Sequence, residues 1–252
     1  MKKALRKALG KLGLYAFAIG IENKIITLFS KKERKSFYKY FLKEGDLCFD
    51  VGANLGNRTV IFLELGAKVV AVEPQKECYE YLSKRFGNKI ELVKYGLGEK
   101  ESVEKLYVSD LSAISSFSKE HVEVMQEERF RGVNWNNSID IQMTTLDHLI
   151  EKYGVPQFCK IDVEGYEYDV LKGLSKPLKT LSLEYIVPEN LPILINCITH
   201  LSNLGTIECN YSAAEKMSFA LPNWISGNEM ITYIQTQEFI DTSWGDVYIQ
   251  FV

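Results

Sequence analysis

The chain has 252 residues, of which 46% are hydrophobic and 25% are charged, and its formal net charge is −3. This length allows one α/β domain or one domain with appendages, and the composition is that of an ordinary globular protein rather than of a disordered chain. Its five cysteines are odd in number and form no CxxC pair, which favours a reducing, cytosolic compartment. The three histidines show no HExxH or Cys/His spacing, so no zinc site is predicted.

The beginning of the chain differs in charge from the rest. Residues 1–43 hold 12 Lys/Arg and 2 Asp/Glu, whereas the remainder holds 18 Lys/Arg and 31 Asp/Glu. Four apolar residues recur at helical spacing among these lysines: Leu5, Leu9, Leu12 and Ala16. This spacing predicts an amphipathic helix. We therefore divide the chain into a basic helical extension, residues 1–43, and a main domain, residues 44–252.

Two roles are open for this basic extension. It could pack on the main domain with its lysines in solvent, or it could lie on an anionic membrane or an acidic partner. The apolar run 12–21 is too short to span a bilayer, which takes about 20 residues. No convincing small-residue cleavage site follows it, so a signal peptide is the weaker alternative. The expected location is the cytoplasm, with membrane association through residues 1–43 as an option.

From residue 46 onward, strand-like and helix-like segments alternate. The predicted strands are 47–51, 67–74, 90–97, 157–163 and 180–187, and the predicted helices are 57–65, 76–86, 166–174 and 191–204. Near-continuous apolar strands separated by helices indicate a mostly parallel sheet that is covered on both faces. The predicted fold is a Rossmann-like, doubly wound α/β sheet.

Two segments depart from this alternation. Residues 99–145 form a charged, serine-containing and partly strand-like insertion, and an excursion of this length in a compact domain is usually functional or a lid. The tail from residue 230 to residue 252 predicts further strands, arranged as a closing hairpin.

The glycine loop after the first strand, "DVGANLG", is typical of a nucleotide site. A phosphate-binding P-loop is excluded because the chain lacks the GxxxxGK[ST] pattern. A dinucleotide loop needs GxGxxG, but Gly52 and Gly56 give one glycine fewer, and Asp50 would place a carboxylate near two phosphate charges. S-adenosylmethionine has no phosphate and carries an ammonium and a sulfonium, so an aspartate suits it. A tight turn without a ligand is the simpler alternative.

Glu73 ends the second predicted strand, 21 residues after Gly52. An acid at this place can accept hydrogen bonds from both ribose hydroxyls of a nucleoside. NAD enzymes use the same arrangement, so Glu73 does not distinguish the two cofactors and Asp50 does.

Four segments together resemble a known family: "FDVGANLGNRT", "VVAVEP", "TTLD" and "KIDVEGYEYDVLKG". In this order and spacing they resemble the FkbM-type methyltransferases, a branch of the class I S-adenosylmethionine-dependent enzymes. The resemblance runs from about residue 45 to about residue 184, with "WGDVYI" near the end of the chain as a further segment. It departs from the family at "NR" after the glycine loop and at "YGLG" after the third strand.

The resemblance implies site residues and a reaction. The implied cofactor residues are Asp50, Gly52, Ala53, Asn54 and Gly56 in the loop, Glu73 and Pro74 at the ribose, and Gly96 and Leu97 near the adenine. FkbM-type enzymes mostly methylate hydroxyls of sugars and natural products, so the implied function is O-methyl transfer to a sugar or natural-product acceptor. The resemblance does not cover residues 1–43 and 188–241. We expect the acceptor to be chosen by these two segments and by the insertion.

The acids of "KIDVEGYE" are the candidate catalytic residues. In an extended strand Asp162 and Glu164 point to one side, so their carboxylates should meet at the strand end. We expect them to hold the acceptor hydroxyl, with one of them taking its proton, and Glu184 to assist. Alternatively, Glu164 and Glu167 only favour the N-terminus of the next helix. Oxygen ligands of this kind could also hold Mg²⁺, but the sequence shows no complete ligand set.

Two other functions stay open. A catalytically idle Rossmann-like module that binds a nucleotide or a partner protein would not need the carboxylates of "KIDVEGYE". Nucleic-acid methylation is disfavoured because the acidic main domain would repel phosphates.

Overall fold

The computed structural model describes residues 31–109, 114–130, 132–135 and 137–252. The amphipathic helix predicted from Leu5 to Ala16 lies outside these residues. Among the described residues, no helix is long and apolar enough to cross a membrane.

Eleven strands are present in the described residues. They are β1 (Leu47–Val51), β2 (Lys68–Val72), β3 (Glu91–Val93), β4 (Gly96–Leu97), β5 (Ser102–Val108), β6 (Asn137–Thr144), β7 (Phe158–Ile161), β8 (Thr180–Ile186), β9 (Ile207–Ala213), β10 (Ile225–Ser226) and β11 (Trp244–Phe251). Eight of them form one sheet in the order β3-β2-β1-β7-β8-β11-β9-β10, and β4, β6 and β5 form a second sheet.

The helices follow the strands along the chain. They are α1 (Thr59–Glu64), α2 (Lys76–Phe86), α3 (Lys119–Glu128), α4 (Leu146–Tyr153), α5 (Glu167–Lys172), α6 (Leu191–Leu204), α7 (Gly227–Tyr233) and α8 (Gln237–Ile240), and residues 31–38 are helical as well.

The large sheet has the predicted doubly wound arrangement. The pairs β3–β2, β2–β1, β1–β7 and β7–β8 are parallel, and β11 is antiparallel to both β8 and β9. One face buries apolar residues of α4, α5 and α6, and the other buries those of α1, α2 and residues 37–42. The prediction of a Rossmann-like sheet covered on both faces is therefore confirmed. Because the carboxyl ends of β1, β2, β7 and β8 lie at one edge, residues that follow these strands meet there.

The basic extension contributes to the core at its C-terminal end. Tyr38 and Phe41 are buried, and the Phe41 ring stacks on Phe158 of β7 at 4.8 Å and on Tyr248 of β11 at 5.2 Å between centroids. The packed part of the chain thus begins before residue 44. The boundary between residues 43 and 44 stays a prediction.

The third predicted strand, 90–97, is wrong as a single element. The chain forms β3, leaves the large sheet at Lys94, and then forms β4 in the second sheet, where Gly96 pairs with Met143. Tyr95, at the change between the sheets, is exposed.

The predicted hairpin in the tail is also wrong. α7 and α8 occupy the first part of this segment, and each begins at a hydroxyl cap, Ser226 and Thr236. Ser226 forms a capping box with Glu229. Only β11 is a strand, and it inserts between β8 and β9 rather than pairing with its chain neighbour.

Candidate active site

The glycine loop between β1 and α1 lies against the chain that follows β7. Gly52 and Gly56 have φ of +80° and +75°, and Asn54 also has a positive φ, which suits these residue types. A Cβ on Gly52 would overlap the backbone carbonyl oxygen of Asp162. The backbone N–H groups of Gly52 and Ala53 both donate to the Val72 carbonyl at 3.0 Å. The loop is therefore fixed between the ends of β2 and β7.

Asp50 lies beneath this loop and has a partner within the protein. Its buried carboxylate accepts a hydrogen bond from the hydroxyl of Thr59, the first residue of α1. Burial raises the pKa of Asp50, while the Thr59 hydrogen bond opposes this shift. Asp50 thus holds the start of α1 to the end of β1, and its direct contact with a cofactor ammonium stays a prediction.

Glu73 fastens the loop to the end of β2. One carboxylate oxygen accepts the N–H of Asn54 and the other accepts the N–H of Gln75, each at 2.8 Å. Burial raises the pKa of Glu73 to about 7, although both hydrogen bonds lower it. Because each carboxylate oxygen can accept more than one hydrogen bond, acceptor capacity is left for two ribose hydroxyls.

The predicted adenine neighbours have packing roles. Gly96 and Leu97 form β4, where a Cβ on Gly96 would overlap Met143 and Phe117, and Leu97 belongs to the main core. Pro74 is half-buried beside Glu73. A cavity of about 560 Å³ opens nearby, between β3, the second sheet and α4. The contacts of Gly96 and Leu97 with adenine, and that of Pro74 with the cofactor, stay predictions.

The three predicted catalytic acids converge at the ends of β7 and β8. One carboxylate oxygen from each of Asp162, Glu164 and Glu184 lies within 4.8 Å of the others. The prediction that an extended strand places Asp162 and Glu164 on one side is wrong in its geometry, because β7 ends at Ile161 and Glu164 has a φ of +54°. A left-handed turn, rather than an extended strand, brings Glu164 back towards Asp162.

A buried lysine lies directly below these acids. The Lys160 side chain is only 3% exposed, and its Nζ lies 2.6 Å from Asp162 Oδ2 and 3.7 Å from Asp246 Oδ1. Burial alone would raise the pKa of Asp162, but the Lys160 ammonium lowers it below its ordinary value. Asp162 is therefore ionised at neutral pH. Asp246 lies in the segment "WGDVYI" and pairs with Glu184 across β11 and β8, a neighbour that the resemblance did not indicate.

The other two acids hold their protons more tightly. Burial first, and then the negative charge of Asp162, raise the pKa of Glu164 and the pKa of Glu184 well above the ordinary glutamate value. No salt bridge to Glu164 or Glu184 occurs in the described ranges. The cluster therefore combines one ionised carboxylate with two acids that keep their protons to a higher pH than ordinary glutamates do.

Glu167 supports the turn that carries Glu164. Its Oε1 accepts the N–H groups of Val163 and Gly165, both at 3.2 Å, and burial raises its pKa to about 7. The alternative that Glu164 and Glu167 only favour the N-terminus of the next helix therefore fits Glu167, which begins α5 and holds its N-terminal turn. It does not describe Glu164, whose carboxylate lies with Asp162 and Glu184.

The insertion reaches this edge through contacts that no residue pattern indicated. Ser116 donates its hydroxyl to the Glu164 carbonyl at 2.6 Å. His121 of α3 packs against Gly165 and hydrogen-bonds with Asn190. Arg129 binds both carboxylate oxygens of Glu189. The insertion therefore covers the loop after β7 and the loop after β8.

Comparison with known proteins identifies the family. Residues 50–194 match the Methyltransferase FkbM domain. The chain belongs to this family. The match contains the glycine loop, Glu73 and the three converging carboxylates, so the resemblance read from the four segments is confirmed. The family consists of S-adenosylmethionine-dependent methyltransferases.

One similar characterised protein is the hexuronic acid methyltransferase AglP of Haloferax volcanii, which is 28% identical over 152 residues. The alignment covers 58% of this chain and 56% of that protein, so the chain spans little more than half the length of this relative.

Similar solved structures include a precorrin-6y C5,15-methyltransferase from Geobacter metallireducens, with a TM-score of 0.43, 10% identity and coverage of 88% of this chain and 86% of the other. A TehB-like methyltransferase from Corynebacterium glutamicum has a TM-score of 0.45, 9% identity and coverage of 87% and 86%. At this level of likeness neither structure bears on the reaction.

Proposed function

We propose that this chain transfers a methyl group from S-adenosylmethionine to a hydroxyl of a sugar, a glycan or a natural product. The observation that carries the proposal is the meeting of Asp162, Glu164 and Glu184 beside the glycine loop, where Gly52 touches the backbone of Asp162. The cofactor loop and the acid cluster thus share one edge of the sheet.

The residues present fit the cofactor. Glu73 retains acceptor capacity for ribose hydroxyls, and the loop from Gly52 to Gly56 presents backbone close to the ends of β1 and β2. When bound, S-adenosylmethionine supplies an electrophilic methyl group on a sulfonium. The acidic edge of the sheet favours this cation over an anionic cofactor.

The acid cluster fits the handling of a hydroxyl. Asp162 is kept ionised and held in place by Lys160, so it is suited to accept a hydrogen bond from the acceptor hydroxyl and orient it. Glu164 or Glu184 then takes the proton that the hydroxyl loses. Orientation of this kind can lower a barrier by ~7–11 kcal/mol in favourable cases, and a placed base adds roughly 10²- to 10⁴-fold.

The sugar acceptor is supported by one distant relative. AglP is named as a hexuronic acid methyltransferase, and its similarity to this chain is limited to about half of each protein. An acceptor from the carbohydrate class is therefore our first choice, and a natural-product hydroxyl is the alternative.

Methyl transfer can be tested with the purified chain, S-adenosylmethionine labelled on its methyl group, and panels of glycosides and natural-product polyols. We expect label in a product heavier by one methylene group, stable to mild base as an ether is. Binding of NADH but not of S-adenosylmethionine or its demethylated product, measured by calorimetry on folded protein, would contradict the proposal.

A further inference from the structure

An aromatic patch reaches the surface on the side of the sheet that residues 37–42 cover. It consists of Tyr40, Phe219 and Trp224, and Tyr40 is 57% exposed. The exposed lysines of residues 31–43 continue from it. We propose that this aromatic patch and its lysines form a docking surface for an anionic lipid bilayer, on which the chain lies peripherally.

The three rings of the patch hold one another in place. Tyr40 lies nearly parallel to Trp224, with 14° between the ring planes and 6.1 Å between centroids, and it meets Phe219 edge-on at 5.2 Å. Phe219 packs in turn on Phe37 and Tyr248, at 5.1 Å and 5.8 Å. Tyrosine and tryptophan suit a membrane interface, because each joins an apolar ring to a polar group. The patch thus offers lipid a preformed aromatic platform.

Residues 31–41 have two different sides. The side chains buried against the domain are Arg34, Phe37, Tyr38 and Phe41, and those exposed on the other side are Lys32, Glu33, Ser36, Lys39 and Tyr40. Lys31 and Lys35 lie within salt-bridge distance of Glu64. In the described part of the chain, neither Lys32 nor Lys39 has a salt bridge. The outward side therefore places two available ammonium groups in line with Tyr40.

The charge of this region selects an anionic partner. Residues 1–43 hold 12 Lys/Arg and 2 Asp/Glu, of which residues 1–30 hold 6 and 1. A second copy docked patch to patch would bring these lysines against its own lysines. Residues 1–30, laid over the patch, would add further positive charge to it. An anionic bilayer instead attracts every lysine near its surface, so it is the occupant that the charge favours.

The patch lies away from the acid cluster. Phe41, the neighbour of Tyr40, stacks on Phe158, which begins β7, whereas Asp162 follows the other end of β7. A chain docked through the patch therefore keeps the edge that carries the acid cluster off the lipid. The contact is a surface one, since no helix of the described residues is long and apolar enough to cross a membrane. It does not depend on the reaction proposed above.

Vesicle binding tests the docking surface with the full chain. Co-sedimentation is measured with vesicles of phosphatidylcholine and with vesicles of an equal mixture of phosphatidylcholine and phosphatidylglycerol, at low and at high salt. We expect binding to the mixed vesicles only, and weaker binding at high salt. Tyr40→Ser should lower the binding constant several-fold. Lys32→Gln combined with Lys39→Gln should lower it at least ~10-fold, because each lysine near an anionic surface contributes roughly a fivefold gain.

Matched controls carry the same changes on α2. Tyr81→Ser replaces another exposed tyrosine, and Lys76→Gln combined with Lys84→Gln removes the same charge from exposed positions. We expect both controls to bind the mixed vesicles as the wild type does.

A second measurement uses the tryptophan of the patch. Lipids with brominated chains quench the fluorescence of a tryptophan that contacts them, and Trp224→Phe keeps an aromatic ring in the patch. We expect the quenching seen with wild type to be largely lost in Trp224→Phe. Unchanged quenching would overturn the inference.

Three other outcomes would also overturn it. The first is equal binding to both kinds of vesicle, or to neither. The second is wild-type binding by Tyr40→Ser and by the double lysine variant. The third is self-association without lipid that Tyr40→Ser abolishes, which would place a second copy on the patch.

Discussion

Two acid-bearing strand ends lie side by side at this edge of the sheet and differ in how their carboxylates are satisfied. At the ends of β1 and β2, Asp50 and Glu73 are bonded to groups of the protein itself, the Thr59 hydroxyl and two backbone N–H groups. At the ends of β7 and β8, Glu164 and Glu184 lie near another carboxylate and have no cation paired with them in the described residues.

This difference suits the two regions to different tasks. A region whose polar groups are bonded internally is rigid before a ligand arrives and can present a fixed surface to it. A region that holds carboxylates close together gains from a ligand that donates hydrogen bonds or takes up a position between them. The first arrangement suits a cofactor site and the second suits a reaction with a proton to move.

The largest effect should come from the acids at the ends of β7 and β8. Asp162→Asn and Glu164→Gln remove a proton acceptor or an orienting charge without changing size. We expect each to lower turnover by roughly 10²- to 10⁴-fold while the affinity for S-adenosylmethionine changes little. Methyl-transfer assays and calorimetry on the same preparations separate the two quantities.

Glu151→Gln is the matched control, since it makes the same chemical change at an exposed site on α4. If Asp162→Asn and Glu164→Gln both turned over at the wild-type rate, these acids would be structural residues. The binding-module alternative would then be favoured over an enzyme.

The next effect concerns the ion pair below the cluster. Lys160→Met keeps the apolar stem and removes the ammonium, which leaves Asp162 and Asp246 without their shared cation. Removing one partner of a buried ion pair typically costs about 3–5 kcal/mol of unfolding free energy, whereas an exposed pair contributes about 0–1 kcal/mol.

Lys105→Met supplies the exposed counterpart, because Lys105 and Asp140 are each more than 60% exposed. Denaturant unfolding of both variants should show a large loss only for Lys160→Met. Equal losses would show that burial does not distinguish these two ion pairs.

The third effect tests the fixed character of the glycine loop. Gly52 and Gly45 have similar positive φ values, +80° and +85°, but a Cβ on Gly52 would overlap the Asp162 carbonyl, whereas a Cβ on Gly45 would meet no atom within 4 Å. Gly45→Ala should therefore cost only the left-handed backbone, about 1–2 kcal/mol. Gly52→Ala should cost more, by a further ~1–3 kcal/mol of overpacking, and should weaken cofactor binding.

Thermal unfolding and calorimetry of the pair measure both quantities. Equal destabilisation, with full cofactor affinity in Gly52→Ala, would show that the loop can move away from β7 at no cost.

Local pattern predicted the regular elements well and long-range pairing poorly. β1, α2 and α6 lie where apolar periodicity and the Gly205 stop signal put them, because burial of one face decides these segments. The predicted strand 90–97 is two strands in different sheets because Gly96 pairs with Met143, some 47 positions away. No local pattern indicates that partner. The first helix of the tail, α7, could have been predicted from the capping box of Ser226 and Glu229.

The site shows the same limit. Asp162, Glu164 and Glu184 could be chosen because they follow apolar strands, but the turn at Glu164 was not predicted from strand alternation. Asp246 was not identified because β11 enters the sheet from the far end of the chain. The contacts of Ser116 and Arg129 depend on how the insertion folds over the edge, which residue spacing does not encode.

The last effect is a pH dependence of stability that arises from Glu167. Its folded-state pKa of about 7 lies above the ordinary value of 4.5, so the folded chain binds this proton more tightly than the unfolded chain does. The stability that this proton contributes is fully present below pH 4.5 and is lost as the pH rises through about 7.

Glu167→Gln imitates the protonated acid. Because a single oxygen, Oε1, accepts both the Val163 and the Gly165 N–H, the amide can keep both hydrogen bonds. The free energy of unfolding of wild type, measured relative to Glu167→Gln by urea titration, should therefore fall by up to ~3 kcal/mol between pH 4.5 and pH 8. A difference that stays constant across this range would show that Glu167 titrates alike in the folded and unfolded chains, and that the turn carrying Glu164 is not a desolvated one.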